Sequence, residues 1–251
     1  MDWINTALLF LGSLLANTLA SISGGGAGLL QFPLLIFMGL PFSVALATHK
    51  LASVALGLGA ALTHFRSGSL NGKVIVYLVL TGSIGIVTGA NLVILIPEKI
   101  AQTLLGLMIL ALGIYSRFKK QLGQSEHPNH RDSYGWTIGG IVMALIGVIN
   151  GSLTAGSGLL VTIFLVRWFG YSYKQAVALT MICVGLFWNG IGGLAVVKAG
   201  APVHWSWLPV LLLSSFLGGG LGAWISQRVS NNLVKIAFEV LTFAVGLKLL
   251  F

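Results

Sequence analysis

Ser21-Ile22-Ser23-Gly24-Gly25-Gly26-Ala27-Gly28-Leu29-Leu30-Gln31-Phe32-Pro33 interrupts an apolar N-terminal run with small polar residues and four glycines. Glycine lacks a Cβ, weakens helices and lets other chain approach closely. The 251-residue chain around it is 56% hydrophobic and only 8% charged, with mean hydropathy +0.95. Soluble domains carry roughly 25% charged residues, so this composition cannot build a polar surface. The break therefore falls within a membrane-spanning region, where irregular backbone persists only inside protein or beside a water-filled cavity. A near-copy, Thr154-Ala155-Gly156-Ser157-Gly158-Leu159-Leu160, follows about half a chain later.

Working outward, glycine, proline and charge mark off apolar runs at Ile4–Ile22, Ala27–Met38, Val44–Phe65, Val74–Ile96 and Ile100–Ser116. Ser43 is the candidate N-cap of the third run. After the basic stretch Arg117–Tyr134 the pattern returns as Trp136–Leu153, Leu159–Trp168, Gln175–Val197, Trp207–Ser226 and Leu233–Leu250. Gly26-Ala27-Gly28-Leu29-Leu30 matches Gly156-Ser157-Gly158-Leu159-Leu160, Ala45–Thr48 matches Val177–Thr180, and Gly89-Ala90 matches Gly222-Ala223. These colinear matches predict an all-α integral membrane protein of two repeats, 1–116 and 135–251, joined by a linker at 117–134.

Each repeat holds about five membrane segments. The two short runs are below the ~20 residues of a full span, which gives eight full spans plus broken or re-entrant arms, or ten segments. The ten-segment count puts Arg66, Lys73, Arg117, Lys119, Lys120, Arg131, Arg167, Lys174, Arg228 and Lys235 on one side, against Lys99, Lys198 and Lys248. The positive-inside rule then makes the linker cytoplasmic, both termini external and the protein a multi-pass resident of the cell (inner) membrane. An odd number of segments per repeat inverts the second relative to the first. Inverted repeats with paired glycine interruptions point to a secondary transporter whose site lies between the halves near the bilayer midplane.

The net charge of +9 is scattered between apolar runs rather than clustered with aromatics, which excludes a nucleic-acid partner. The lipid bilayer is the partner the composition demands, and an oligomer is compatible with it. Cys183 is the single cysteine, excluding an intramolecular disulfide, and its place in an apolar run makes it a packing residue. His127-Pro128-Asn129-His130 with Glu126 and Asp132 lacks a fixed four-ligand set. No metal or cofactor is expected.

The candidate substrate residues lie at the two breaks and in the run that follows the first. A half-helix beginning just after Gly26 or Gly156 would point unpaired N–H groups and a positive dipole end at an anion. Ser23, Gly24 and Gly25 flank the first break, Gln31 follows it, and Thr154 and Ser157 add hydroxyls at the second. Asn150 stands one turn before the second break. His49-Lys50 sits inside the third run, where a charge is costly and usually functional. Thr48 and its repeat partner Thr180 join that set. His64 beside Arg66 is expected to snorkel toward the interface. Asn17 and Asn189 read as interhelical hydrogen-bonding residues. Glu239, the only carboxylate well inside a run, is the candidate for a coupling proton, although Lys235 four residues before and the helix start offer it a structural role, the favoured reading.

Gly24-Gly25-Gly26-Ala27-Gly28-Leu29-Leu30, then Pro33, then Ala45-Leu46-Ala47-Thr48-His49-Lys50, resembles the TauE/SafE family of membrane proteins, the sulfite exporters and their relatives. His49 stands where Asn is common in that family. The resemblance implies transport of sulfite, a sulfonate or a similar small organosulfur anion. Two alternatives come from other classes. An intramembrane serine hydrolase would use Ser157 with a histidine such as His204, although Ala155 stands where a G-x-S-x-G elbow needs glycine. An anion channel would share the basic bias; a cation path would want converging carboxylates.

Overall fold

The computed structural model describes residues 3–25, 27–65, 71–93, 97–118 and 126–228, with positions 243, 244, 246, 247 and 250. Gly26, Glu239, the basic cluster 119–120 and most of the final run lie outside the described residues. Helix α1 (Trp3–Ser23) runs into the first break, where a 3-10 turn (Ala27–Leu29) leads to the short α2 (Gln31–Phe37). Then come α3 (Phe42–Phe65), α4 (Gly72–Val93) and α5 (Glu98–Phe118). The second half opens with α6 (Ser133–Ser152) and α7 (Ser157–Arg167). A continuous rod follows, built of α8 (Tyr173–Thr180), a π-helical stretch (Met181–Trp188) and α9 (Asn189–Lys198), and α10 (Leu208–Ser226) comes after it.

Among the described residues, six helices are long and apolar enough to cross a bilayer: Trp3–Ser23, Phe42–His64, Gly72–Leu92, Ser133–Ser152, Lys174–Lys198 and Leu208–Ser226. Their outward faces carry large apolar side chains such as Trp3, Leu11, Leu80, Ile84, Leu145 and Leu194. An apolar belt of that extent needs lipid rather than water. This is a multi-pass integral membrane protein.

Three expectations need correction. The helix after the first break starts at Gln31 rather than beside Gly26, because Ala27–Leu29 take up a 3-10 turn first. Ser43 lies within the first turn of α3, which begins at Phe42, so it is not the cap. His64 does not snorkel: it is buried at 6% exposure near the end of α3. Asp132, by contrast, caps α6 by accepting from the Gly135 N–H at 2.9 Å, and Ser172 and Gln175 form a reciprocal capping box on α8. Cys183 is fully buried, as expected of a packing residue.

Helices α1 and α10 pack against each other, as do α4 and α6, and small residues set both distances. A Cβ on Gly85 would lie 1.8 Å from the Ala144 carbonyl oxygen, and one on Gly89 would lie 2.1 Å from that of Val148. In the other joint, Gly218 and Gly222 bring α10 against the carbonyls of Leu14 and Thr18, at 2.8 and 2.3 Å from a built Cβ. Backbones approach this closely in membranes because van der Waals packing, rather than water exclusion, holds helices together there. Position for position, the sequence of buried, half-buried and exposed residues over Leu9–Ser21 is the same as over Gly139–Gly151.

Candidate anion site at the second break

The two breaks meet. Gly28 packs so that a Cβ would sit 2.9 Å from the Thr154 carbonyl oxygen, and Gly24, at φ 68°, leaves no room beside Thr162 and Val177. Thr162 Oγ1 lies 3.2 Å from the Gly24 carbonyl oxygen and 2.8 Å from Thr180 Oγ1. Thr180 thus ties the rod to the breaks. Thr48 does something else: its hydroxyl accepts from the His204 N–H at 2.9 Å, anchoring the loop before α10.

At the second break the backbone turns left-handed twice, at Thr154 (φ 56°) and Gly156 (φ 73°). A β-branched residue in that region is a genuine outlier, and such strain concentrates at functional positions. Gly156 is the N-cap of α7 and no side chain caps it, so the positive end of that helix opens onto the break. Ser157 donates to the Thr154 carbonyl at 2.8 Å and accepts from Asn150 Nδ2 at 2.8 Å.

Lys50 of α3 reaches this break from the other half of the chain. Its ammonium donates to the Asn150 carbonyl at 2.6 Å and lies 3.2 Å from Asn150 Oδ1 and 3.5 Å from Thr154 Oγ1. The side chain is fully buried. Gly192 of α9 makes space for it: a Cβ there would meet Lys50 Nζ at 3.1 Å. Asn189 adds its Oδ1 at 3.5 Å from Asn150 Nδ2. Among the described residues none of the partners of Lys50 carries a charge. A buried charge inside a membrane protein is costly and marks a candidate functional position.

His49, the next residue, faces a different polar cluster. Its Nδ1 lies 2.8 Å from Gln31 Oε1, and the Ser53 hydroxyl is 3.3 Å from each ring nitrogen. Gln31 Nε2 donates to Ser13 Oγ at 2.6 Å and Ser215 Oγ at 2.9 Å. Asn17 Nδ2 donates to the Ser13 carbonyl at 2.7 Å and lies 3.1 Å from Ser215 Oγ, while Ser214 donates to Ser13 Oγ at 2.7 Å. Asn17 Oδ1 is buried and has no hydrogen-bond partner among the described residues.

The structure therefore gathers Lys50, Asn150, Thr154, Gly156 and Ser157 into one cluster and Gln31 and His49 into another. Ser23 and Gly25 bond locally at the first break, Gly24 and Thr180 meet at Thr162, and Thr48 stands apart. Ser13, Ser53, Thr162, Asn189, Ser214 and Ser215 escaped the sequence reading as site residues. Ser13 and Asn17 at i, i+4, and the Ser214-Ser215 pair in an apolar run, were the available signals.

Known proteins can now be compared. The family model described as sulfite exporter TauE/SafE matches residues 9–249. The chain belongs to the TauE/SafE family. A "probable membrane transporter protein" of Haemophilus influenzae is 27% identical over 245 residues, covering 98% of this chain and 94% of its own length. The probable membrane transporter protein YfcA of Escherichia coli is 26% identical over 247 residues, covering 97% of this chain and 89% of its own. Similar in extent is ORF9 of a Sinorhizobium species, also a probable membrane transporter protein, at 25% identity over 244 residues, 97% of this chain and 92% of its own. No solved structure matches the chain. Membership of TauE/SafE, with these relatives, makes it a membrane transporter.

Proposed function

We propose that this TauE/SafE protein is a secondary transporter that carries a small organosulfur anion, such as sulfite or a sulfonate, across the cytoplasmic membrane. The anion binds at Lys50 beside the uncapped N-terminus of α7, and alternating access exposes that point to each side in turn. The observation that carries this reading is the buried Lys50 ammonium, whose partners among the described residues are all neutral oxygens. Asn150, Thr154 and Ser157 supply the amide and hydroxyl groups that an oxyanion needs for orientation. The two halves form an inverted repeat with the linker cytoplasmic. The mirrored glycine joints and the matching burial patterns of α1 and α6 support that arrangement.

A hydrolase at Ser157 fits less well. The hydroxyl is engaged by Asn150 and Thr154, while His204 is tied through its backbone to Thr48. The test is flux in proteoliposomes across sulfite, thiosulfate and methanesulfonate. Saturable uptake of at least one is expected, with Lys50→Met reducing it to the level of empty liposomes while the protein still elutes as a single folded species. Absence of flux for every anion, or full flux in Lys50→Met, overturns the proposal.

A further inference from the structure

His49 and Lys50 are consecutive on α3, yet their side chains serve separate clusters, one at the junction with α1, α2 and α10 and one at the second break. A neutral imidazole offers one donor and one acceptor; an imidazolium offers two donors. The surroundings of His49 accommodate both forms. Gln31 Oε1 can accept from Nδ1, and the Ser53 hydroxyl rotates to donate to the ring or accept from it. The Gln31 amide is itself braced through Nε2 by Ser13 and Ser215. A change of protonation at His49 thus needs only hydroxyl rotation.

The electrostatic surroundings are spare. Facing His49 are Gln31 and the stacked Phe32 ring of α2 and Ser53 of α3 itself; Ser13, Asn17, Ser214 and Ser215 complete the cluster from α1 and α10. The loop before α10 brings His204, which meets α3 through its backbone at Thr48. Among the described residues Lys50 is the one charged group beside it. Two adjacent buried positive charges repel strongly in a medium of low dielectric constant. Burial disfavours a proton on His49 and the Lys50 charge adds to that, whereas an anion at Lys50 cancels the repulsion and adds an attraction that offsets the burial.

We propose that His49 is the proton-binding site of the carrier, loaded when an anion occupies Lys50, so that anion and proton move together. The proposal rests on the anion site above. One proton accompanies each anion, and by linkage each raises the affinity for the other.

Thiosulfate and methanesulfonate keep a constant charge over the range in which imidazole titrates, so their binding reports on the protein alone. Proteoliposomes with a pH dye trapped inside are given either anion outside. In wild type the lumen should acidify as anion enters, and apparent affinity should weaken roughly tenfold per pH unit above the His49 titration. In His49→Gln that slope should vanish, whatever the affinity itself. Anion entry without acidification in wild type, or an unchanged slope in His49→Gln, overturns the proposal. If the variant fails to fold, acidification in wild type decides alone. Absence of flux with both anions, and of any thermal shift with either, is the distinct signature of failure in the anion reading, and this proposal falls with it.

Discussion

The joint between α10 and α1 and the joint between α4 and α6 share one register and differ in what fills them. Gly218 and Gly222 meet the carbonyls of Leu14 and Thr18 just as Gly85 and Gly89 meet those of Ala144 and Val148. In the α1 joint, Ser21 donates to the Gly219 carbonyl at 2.8 Å and Asn17 meets Ser215. At the matching places in the α6 joint stand Gly151 against the Ile86 carbonyl and Gly147 against that of Gly82. Close helix approach needs only small residues; the polar side chains are additions made on one side. The same holds deeper in. Lys50, Asn150 and Ser157 cluster at the second break, while at the first Ala20 and Ala27 stand where Asn150 and Ser157 do.

Breaking the bare joint should have the largest effect. Gly85→Ala drives a methyl into the Ala144 carbonyl, and overpacking of that kind costs on the order of 3 kcal/mol or more. Its melting temperature in detergent should fall well below that of Gly218→Ala, whose clash is milder; equal losses would deny that the joints differ in tightness. Next comes the polar filling. Asn17→Ala removes the bonds to Ser13 and reaches Ser215 no longer, at a cost of about 1 kcal/mol. Smaller again is Ser21→Gly, which converts one joint into a likeness of the other and should cost about 0.5 kcal/mol. Thermal melts of the two variants rank them, and a larger loss for Ser21→Gly would reverse the assignment.

The turns after α2 and α7 extend the comparison. Both hold a glycine in the left-handed region, Gly39 and Gly170, but nothing lies within 4 Å of a Cβ on Gly39, whereas Gly170 presses on the His127 carbonyl. The second turn is clasped by the preceding loop. His127 N–H donates to the Gly170 carbonyl, Asn129 N–H and Arg131 Nε donate to that of Phe169, and Glu126 pairs with Arg131 at 2.9 Å and with Gln175. Hydrogen bonds from Gln175 and Arg131 hold the Glu126 carboxyl below its ordinary value of 4.5. A lowered carboxylate value stabilises the fold above the unfolded-state value and loses that contribution as pH falls through the folded one. The melting difference between wild type and Glu126→Gln, small because the pair is exposed, should thus appear at neutral pH and close in acid. A difference that grew in acid would refute the clasp.

Much of this was written in the sequence. Glycine breaks, apolar run lengths and Lys50 inside a run are local signals, and each maps onto one element. The π-helical stretch Met181–Trp188 was not legible, because an apolar run has the same composition whether its hydrogen bonds skip four residues or five. Nor was the start of α2, where the glycines permit both a helix and the 3-10 turn that precedes Gln31. The split between His49 and Lys50 depended on knowing which helices flank α3. Serines in apolar runs read alike whether they pack or pair, so Ser214 and Ser215 declared themselves only through Ser13 and Asn17.

The glycine joints also bear on how such a molecule moves. Each fastens a helix from before the linker to one from after it: α1 to α10, and α4 to α6. The two halves of the sequence are therefore interleaved in the fold. Helix α3 lies between these pairs, meeting α10 at Gly59 and Gly219 and the rod at Gly57, Gly185 and Gly193. The Lys50–Asn150 bond ties α3 to α6 like a bolt. An anion that draws the ammonium away from Asn150 would withdraw the bolt as it binds, making the cargo the key to its own passage.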